Sequence, residues 1–193
     1  MSMDTLDAIF ARRSIGRLQE PAPTEAELDT LLRAAAAAPD HLSLRPLRLI
    51  VLSGDRKDDF GAVLAAAYTA RCEATGEEAN LAKLDKERTK LGRAPLVVVV
   101  AAAETTGARI PFIEQQLCAG AAAQNLLLAA TALGYGSMWR TGEPAYDPAV
   151  KAALGLEEWD AIVGFVYVGS VGEGRVADPN DPDLDGLVTT WSA

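Results

Sequence analysis

A chain of 193 residues with 49% hydrophobic and 23% charged residues can bury a substantial core and is too apolar for a disordered segment, so one domain spanning residues 1–193 is expected. A net charge of -9 argues against a general nucleic-acid footprint, and two cysteines without Cys-x-x-Cys spacing beside a single histidine argue against a disulfide framework or a metal site. No charged-then-apolar leader opens the chain, so a cytoplasmic protein with reduced thiols at Cys72 and Cys118 is expected.

In chain order, Leu6, Ile9 and Phe10 fall at helical spacing behind Asp4, which predicts a helix that delivers Arg12 and Arg13 at its end. Thr24 and Glu27 form a capping box, and Leu28, Leu31 and Leu32 continue an apolar face through an alanine run that Pro39 terminates. A strand is expected at about Leu47 to Leu52, and Phe60, Val63, Leu64 and Ala67 mark a third helix. The charged stretch through Lys90 reads as helix or irregular surface, and within it Lys83, Lys86, Arg88, Lys90 and Arg93 read as a solvated face. Leu96 to Val100 is β-branched and uncharged, a buried strand. The longest pattern, Pro111 to Leu133, holds Glu114, Gln115, Gln124 and Asn125; it is too polar to span a membrane and reads as a central helix buried nearly all round.

Gly134-Tyr135-Gly136 then turns the chain into a strand, Ser137-Met138-Trp139-Arg140. This is not a dinucleotide fingerprint, because it follows a helix and opens a strand instead of the reverse. Val163, Phe165 and Tyr167 make a further strand ending at Gly169. Asp178 to Asp183 reads as an extended acidic arm leading to a short β-prone segment, Leu187 to Trp191.

Three polar clusters carry chemistry. Arg12-Arg13-Ser14 sets two guanidiniums and a hydroxyl at a helix end, forked donors suited to a phosphate ester or the edge of a flavin ring; a solvated helix terminus is the alternative. Pro39-Asp40-His41 closes the second helix, and Trp139-Arg140-Thr141 ends a strand.

Taken in this order, with Ala38 to Pro46 running straight into a strand, the three clusters resemble the FMN-dependent nitroreductase superfamily, in its minimal NAD(P)H nitroreductase branch, over essentially the whole chain. The resemblance implies an α+β fold with a central mixed or antiparallel sheet flanked by helices, and a homodimer whose C-terminal strand is exchanged with the partner. It further implies FMN held by Arg12, Arg13 and Ser14 at the phosphate and ribityl chain and by Trp139, Arg140 and Thr141 from the following strand, with Pro39 and His41 of the other protomer closing over the ring. No side chain is required as a catalyst because the flavin is the reacting centre, although His41 is a candidate. The implied activity is hydride transfer from NADH or NADPH through FMN to a nitroaromatic, quinone or similar small-molecule acceptor by a ping-pong route, with neither nucleic acid nor membrane as partner. The charged run from Lys83 to Arg93 then has a second reading, attraction of the nucleotide's phosphates. Two positions depart from the family pattern: Arg45-Pro46-Leu47 stands where many members carry Gln-Pro-Trp, and Gly16 stands where many carry a basic residue. The Arg45 and Leu47 changes leave room for a non-catalytic flavin-binding or interaction protein of the same fold.

Overall fold

Four short apolar runs with no internal proline have one way to satisfy their backbone groups, which is to pair with each other. In the computed structural model, which describes residues 3–173 and 182–191, they do so as β1 (Leu47–Ser53), β2 (Leu96–Ala102), β3 (Gly136–Arg140) and β4 (Ala161–Gly169), in the spatial order β1-β2-β4-β3. Every pairing is antiparallel, so the sheet expected to be mixed or antiparallel is antiparallel throughout. All seven residues of β2 are buried, as its uncharged sequence demands of a strand covered on both faces.

Helices form the two outer layers. On one face α3 (Asp55–Thr75) brings Phe60, Leu64 and Ala67 onto Val97, Val99, Phe165 and Tyr167. On the other, α2 (Glu25–Ala36) and α5 (Phe112–Ala132) bring Leu31, Ala35, Ala119, Ala122, Ala123 and Leu126 onto Val98, Val100, Val166 and Val168. The alanine runs of both helices have a use here, since small side chains let a helix lie close on a β-branched sheet. The charged stretch resolves into a helix, α4 (Leu81–Thr89), capped by Asn80 and followed by a 3-10 turn at Lys90–Arg93. One further helix, α6 (Pro148–Ala153), begins on a capping Asp147 carboxylate and an N-terminal proline.

One expectation changes, and a second apolar face is left open. The helix α5 is buried on one side only: Ile113 and Leu117 are 59% and 64% exposed. The first helix, α1 (Thr5–Ala11), packs on α5 through Ala8 and leaves Leu6 and Phe10 outward, at 61% and 56%. The apolar spacing of both helices is real, but none of the described residues covers these side chains. The arm segment 178–181 lies outside the described residues. Among the described residues Leu187–Trp191 pairs with no strand; the Leu187 N–H donates to the Leu184 carbonyl in a turn, and Trp191 is exposed.

Glu27 shows how a sequence-legible cap becomes tertiary structure. Its carboxylate accepts from the Thr24 hydroxyl at 2.6 Å, the Thr24 N–H at 2.8 Å and the Tyr135 hydroxyl at 2.8 Å, tying the start of α2 to the end of α5. These bonds, that from the Thr24 hydroxyl foremost, hold the carboxyl below its ordinary range. The charged form is favoured by folding, so its stabilisation is present above the unfolded carboxyl value of about 4.3 and is lost as pH falls through the lower folded value. Glu27→Gln should therefore melt below wild type at pH 7, and the gap should close in acid; a gap independent of pH would refute the ionic role.

Candidate functional site

The route of the chain after α1 positions the first cluster. Arg12 ends the helix in an extended conformation, and the segment then runs beside β3: the Ile15 N–H donates to the Ser137 carbonyl at 2.9 Å and the Leu18 N–H to the Arg93 carbonyl at 2.7 Å. Arg13 spends one amino group on the Phe10 and Arg12 carbonyls, while its Nε and second amino nitrogen are buried with no partner among the described residues. Ser14 is exposed. The Arg140 guanidinium reaches back from β3 toward Gly16, where an added Cβ would lie 3.5 Å from it, and its Nε is also buried and unpartnered. Gly16 thus stands against a cation supplied by another strand.

Beyond Arg140 opens a cleft of about 290 Å³. Lys83, Lys86, Lys90 and Arg93 border it on one side, Arg140, Thr141 and Gly142 on the other, and Phe165 and Tyr167 lie below. The run read as a solvated face therefore converges on Arg140. Several of its charges are already engaged: Lys90 pairs with the buried Glu87 at 2.5 Å, and Lys83 pairs with Glu143 at 3.2 Å while sitting over the Tyr68 ring. Arg71 holds the same rim by pairing with Asp147 and Glu143. Burial pushes the Tyr167 phenol up to about 12 against the opposing pull of Arg140 and Arg93, so the floor of the cleft is neutral.

Trp139 does not share this cleft. Strand alternation turns it to the opposite face, where the indole's Nε1 edge packs against Gly164 and donates to the Val163 carbonyl at 3.1 Å. That carbonyl is free because β4 bulges between Ile162 and Gly164 against Ala101 and Val100.

Pro39 and His41 lie elsewhere again. They line a shallow groove of about 380 Å³ with Asp40, Glu114, Leu117 and Cys118, and none of Arg12, Arg13, Ser14, Arg140 or Thr141 borders it. Within one chain the expected site is therefore split: Arg140 and Thr141 border the cleft, Pro39 and His41 border the groove, and Arg12, Arg13 and Ser14 line neither. Lys90 and Arg93, which the sequence offers as a solvated face or as attraction for phosphates, border the cleft, whereas Glu114, one helical turn before the buried Cys118, is not singled out by the sequence as a site residue. Among the described residues no helix is long and apolar enough to cross a membrane, and no three His, Cys, Asp or Glu side chains gather as a metal site.

An α+β sandwich with a cationic cleft beside an Arg-Arg-Ser helix end defines a class that comparison makes specific. The model of the Nitroreductase family matches residues 9–170, and the chain belongs to that family. Among curated proteins it is similar to "Putative NAD(P)H nitroreductase YdjA" of Escherichia coli K12, at 38% identity over 97% of this chain and 99% of that protein. Among solved structures the fold is similar to a nitroreductase-like family protein from Bacillus cereus (TM-score 0.79, 21% identity, 100% and 98% of the two chains). It is also similar to a nitroreductase with bound FMN from Bacteroides fragilis (TM-score 0.74, 22% identity, 99% and 100%).

Proposed function

We propose that this chain is an FMN-dependent oxidoreductase that takes reducing equivalents from NADH or NADPH and delivers them to nitroaromatic, quinone or similar acceptors, working as a homodimer with its sites at the interface. The observation that carries the reading is the set of buried, unpartnered N–H groups on Arg13 and Arg140. A charged donor shielded from water and left without an acceptor costs about 1–3 kcal/mol or more, and such groups persist where a ligand completes them. Phosphate oxygens and the carbonyl and nitrogen edge of a flavin ring are acceptors of the required kind, so the residues present fit FMN.

In this reading Arg12, Arg13 and Ser14 hold the phosphate and ribityl chain, as forked guanidiniums and a hydroxyl can. Arg140 supplies a fixed cation to the electron-rich edge of the ring, with Thr141 and Gly142 beside it. Trp139 acts from behind, its indole filling the space over Gly164 and so holding the strand that presents Arg140. Bound FMN supplies the redox chemistry, accepting hydride from the nicotinamide and returning electrons to the acceptor in separate half-reactions.

The homodimer reading is supported by the uncovered apolar side chains of α1 and α5 and by the division of the site. A second copy over α5 buries Ile113 and Leu117 and carries its own Pro39 and His41 toward the first copy's cleft. The Leu187 to Trp191 segment has β-prone residues and pairs with no strand among the described residues, and β1 stands at the edge of the described sheet, where a partner's strand could add. Four measurements on one preparation test the proposal: the visible spectrum, solution mass, bleaching by NAD(P)H without acceptor, and double-reciprocal kinetics. A yellow dimer that bleaches and gives parallel lines is expected. A colourless chain that takes up no added FMN would reject the cofactor assignment, and intersecting lines would reject the two-stage route.

A further inference from the structure

We propose that Glu114 is a positioning residue: it fixes the tautomer of His41 and so presents the ring's Nε2 as the proton-donating point for the oxygen of the electron acceptor. The proposal rests on the two-copy FMN reading above for the identity of the acceptor, and on this chain's own geometry for the rest.

His41 Nδ1 lies 2.7 Å from Glu114 Oε2, across 73 residues of sequence. An ionised carboxylate can only accept, so the proton of that bond belongs to Nδ1. The neutral ring is thereby held in its Nδ1–H form with a lone pair on Nε2, and the charged ring carries its second proton on Nε2. As a stability device the pair has little value, because both side chains are about half exposed. Yet the loop that carries His41 is built at some expense: Leu42, Ser43 and Arg45 all take left-handed backbone angles near +55°, and the Asp40 carboxylate fastens them by accepting from the Leu44 and Arg45 N–H groups at 3.2 and 2.7 Å. Non-glycine residues hold such angles where the surrounding structure over-determines them, and such strain concentrates at working sites. The groove beside the ring has apolar walls in Pro39 and Leu117. The titratable groups facing it are Asp40, Glu114 and Cys118, whose thiol burial and the nearby Asp40 charge keep protonated.

The step balances. A quinone becomes a hydroquinone by gaining a hydride, which originates in NAD(P)H, and one proton at oxygen. Protonated His41 supplies that proton: the Nε2–H bond breaks, an O–H bond forms, and the ring relaxes to its Nδ1–H form with the bond to Glu114 intact. Water then returns a proton to Nε2. Glu114 keeps the Nδ1 proton in place throughout, so Nε2 is the atom that gives up and regains the transferred proton.

The chain has one histidine, so isotopically labelled histidine gives a single ring signal whose two nitrogens are read directly by NMR. In alkaline solution the wild-type ring should carry its proton on Nδ1, and Glu114→Leu should move it to Nε2. Glu114→Gln keeps an amide oxygen that can accept from Nδ1, so it should retain the tautomer while losing the charge. In rapid mixing, Glu114→Leu should slow reoxidation by a quinone about tenfold more than it slows reduction by NAD(P)H, short of the ~100-fold or greater loss expected when a proton donor is removed outright. A wild-type ring protonated on Nε2, an unchanged tautomer in Glu114→Leu, or equal slowing of both half-reactions would overturn the proposal. A protein that fails to bind FMN would count against the function proposed above while leaving the tautomer result to decide this one.

Discussion

Gly61→Ala should destabilise the protein by about 1–3 kcal/mol and loosen its hold on FMN, although alanine is the better helix former. Gly61 lies in the interior of α3, where the exchange would ordinarily gain about 1 kcal/mol in helix propensity. The local packing reverses the sign. A Cβ there would overlap the Arg88 carbonyl oxygen far inside contact distance, and that atom is backbone of α4, which cannot swing aside as a side chain would. The helices must separate, with the overpacking penalty of a filled core. Because α4 and the turn after it carry Lys86, Lys90 and Arg93 to the rim of the cleft, the displacement reaches the site. Thermal melts of the flavin-free chain and FMN titration measure the two effects. Gly92→Ala is the control, since a Cβ there meets nothing within 4 Å. If Gly61→Ala matches Gly92→Ala in both measurements, the close approach of α3 and α4 does not shape the cleft.

That contact also marks where sequence reading stops. The capping box of Thr24 and Glu27, the proline stop after α2, the buried valines of β2 and the long α5 are local signals, each carried by neighbours within a turn or two, and all four stand in the structure. The basic run from Lys83 to Arg93 was harder, because a charged amphipathic helix has the same spacing whether its charged side meets water or a cleft; only the packing of α4 on α3 decides it. Trp139 could have been separated from Arg140 by the period-two rule alone, since neighbours on a strand face opposite ways. The α6 helix also had its signal, Asp147 before Pro148, which marks a helix start regardless of hydrophobic pattern. The outward faces of α1 and α5 are a different case. Their apolar spacing is visible, but whether they are covered by this chain or by another is not encoded in any local pattern.

Arg140→Leu should weaken FMN binding by roughly 2 kcal/mol, about thirtyfold in Kd, while leaving the flavin-free chain as stable as wild type or more so. The two halves of this expectation share one cause. In the chain alone the guanidinium lies against Gly16 with its Nε buried and without an acceptor, and it makes no ion pair among the described residues. A cation held in that way strains the empty fold, so replacing it with an apolar side chain removes a desolvation penalty. Once FMN supplies acceptor atoms the same group becomes a charge-assisted donor, and the loss appears only in the loaded protein. The ligand-induced rise in melting temperature, which grows with the ratio of FMN concentration to Kd, should therefore shrink from above, with the unloaded baseline unmoved or raised. Arg12→Ala, at the more open helix end, should weaken FMN binding with a smaller change in the unloaded baseline. A variant at Arg140 that lowered the unloaded melting temperature and left the FMN-induced shift intact would make this residue a structural cation of the fold, and would remove the central contact from the proposed flavin site.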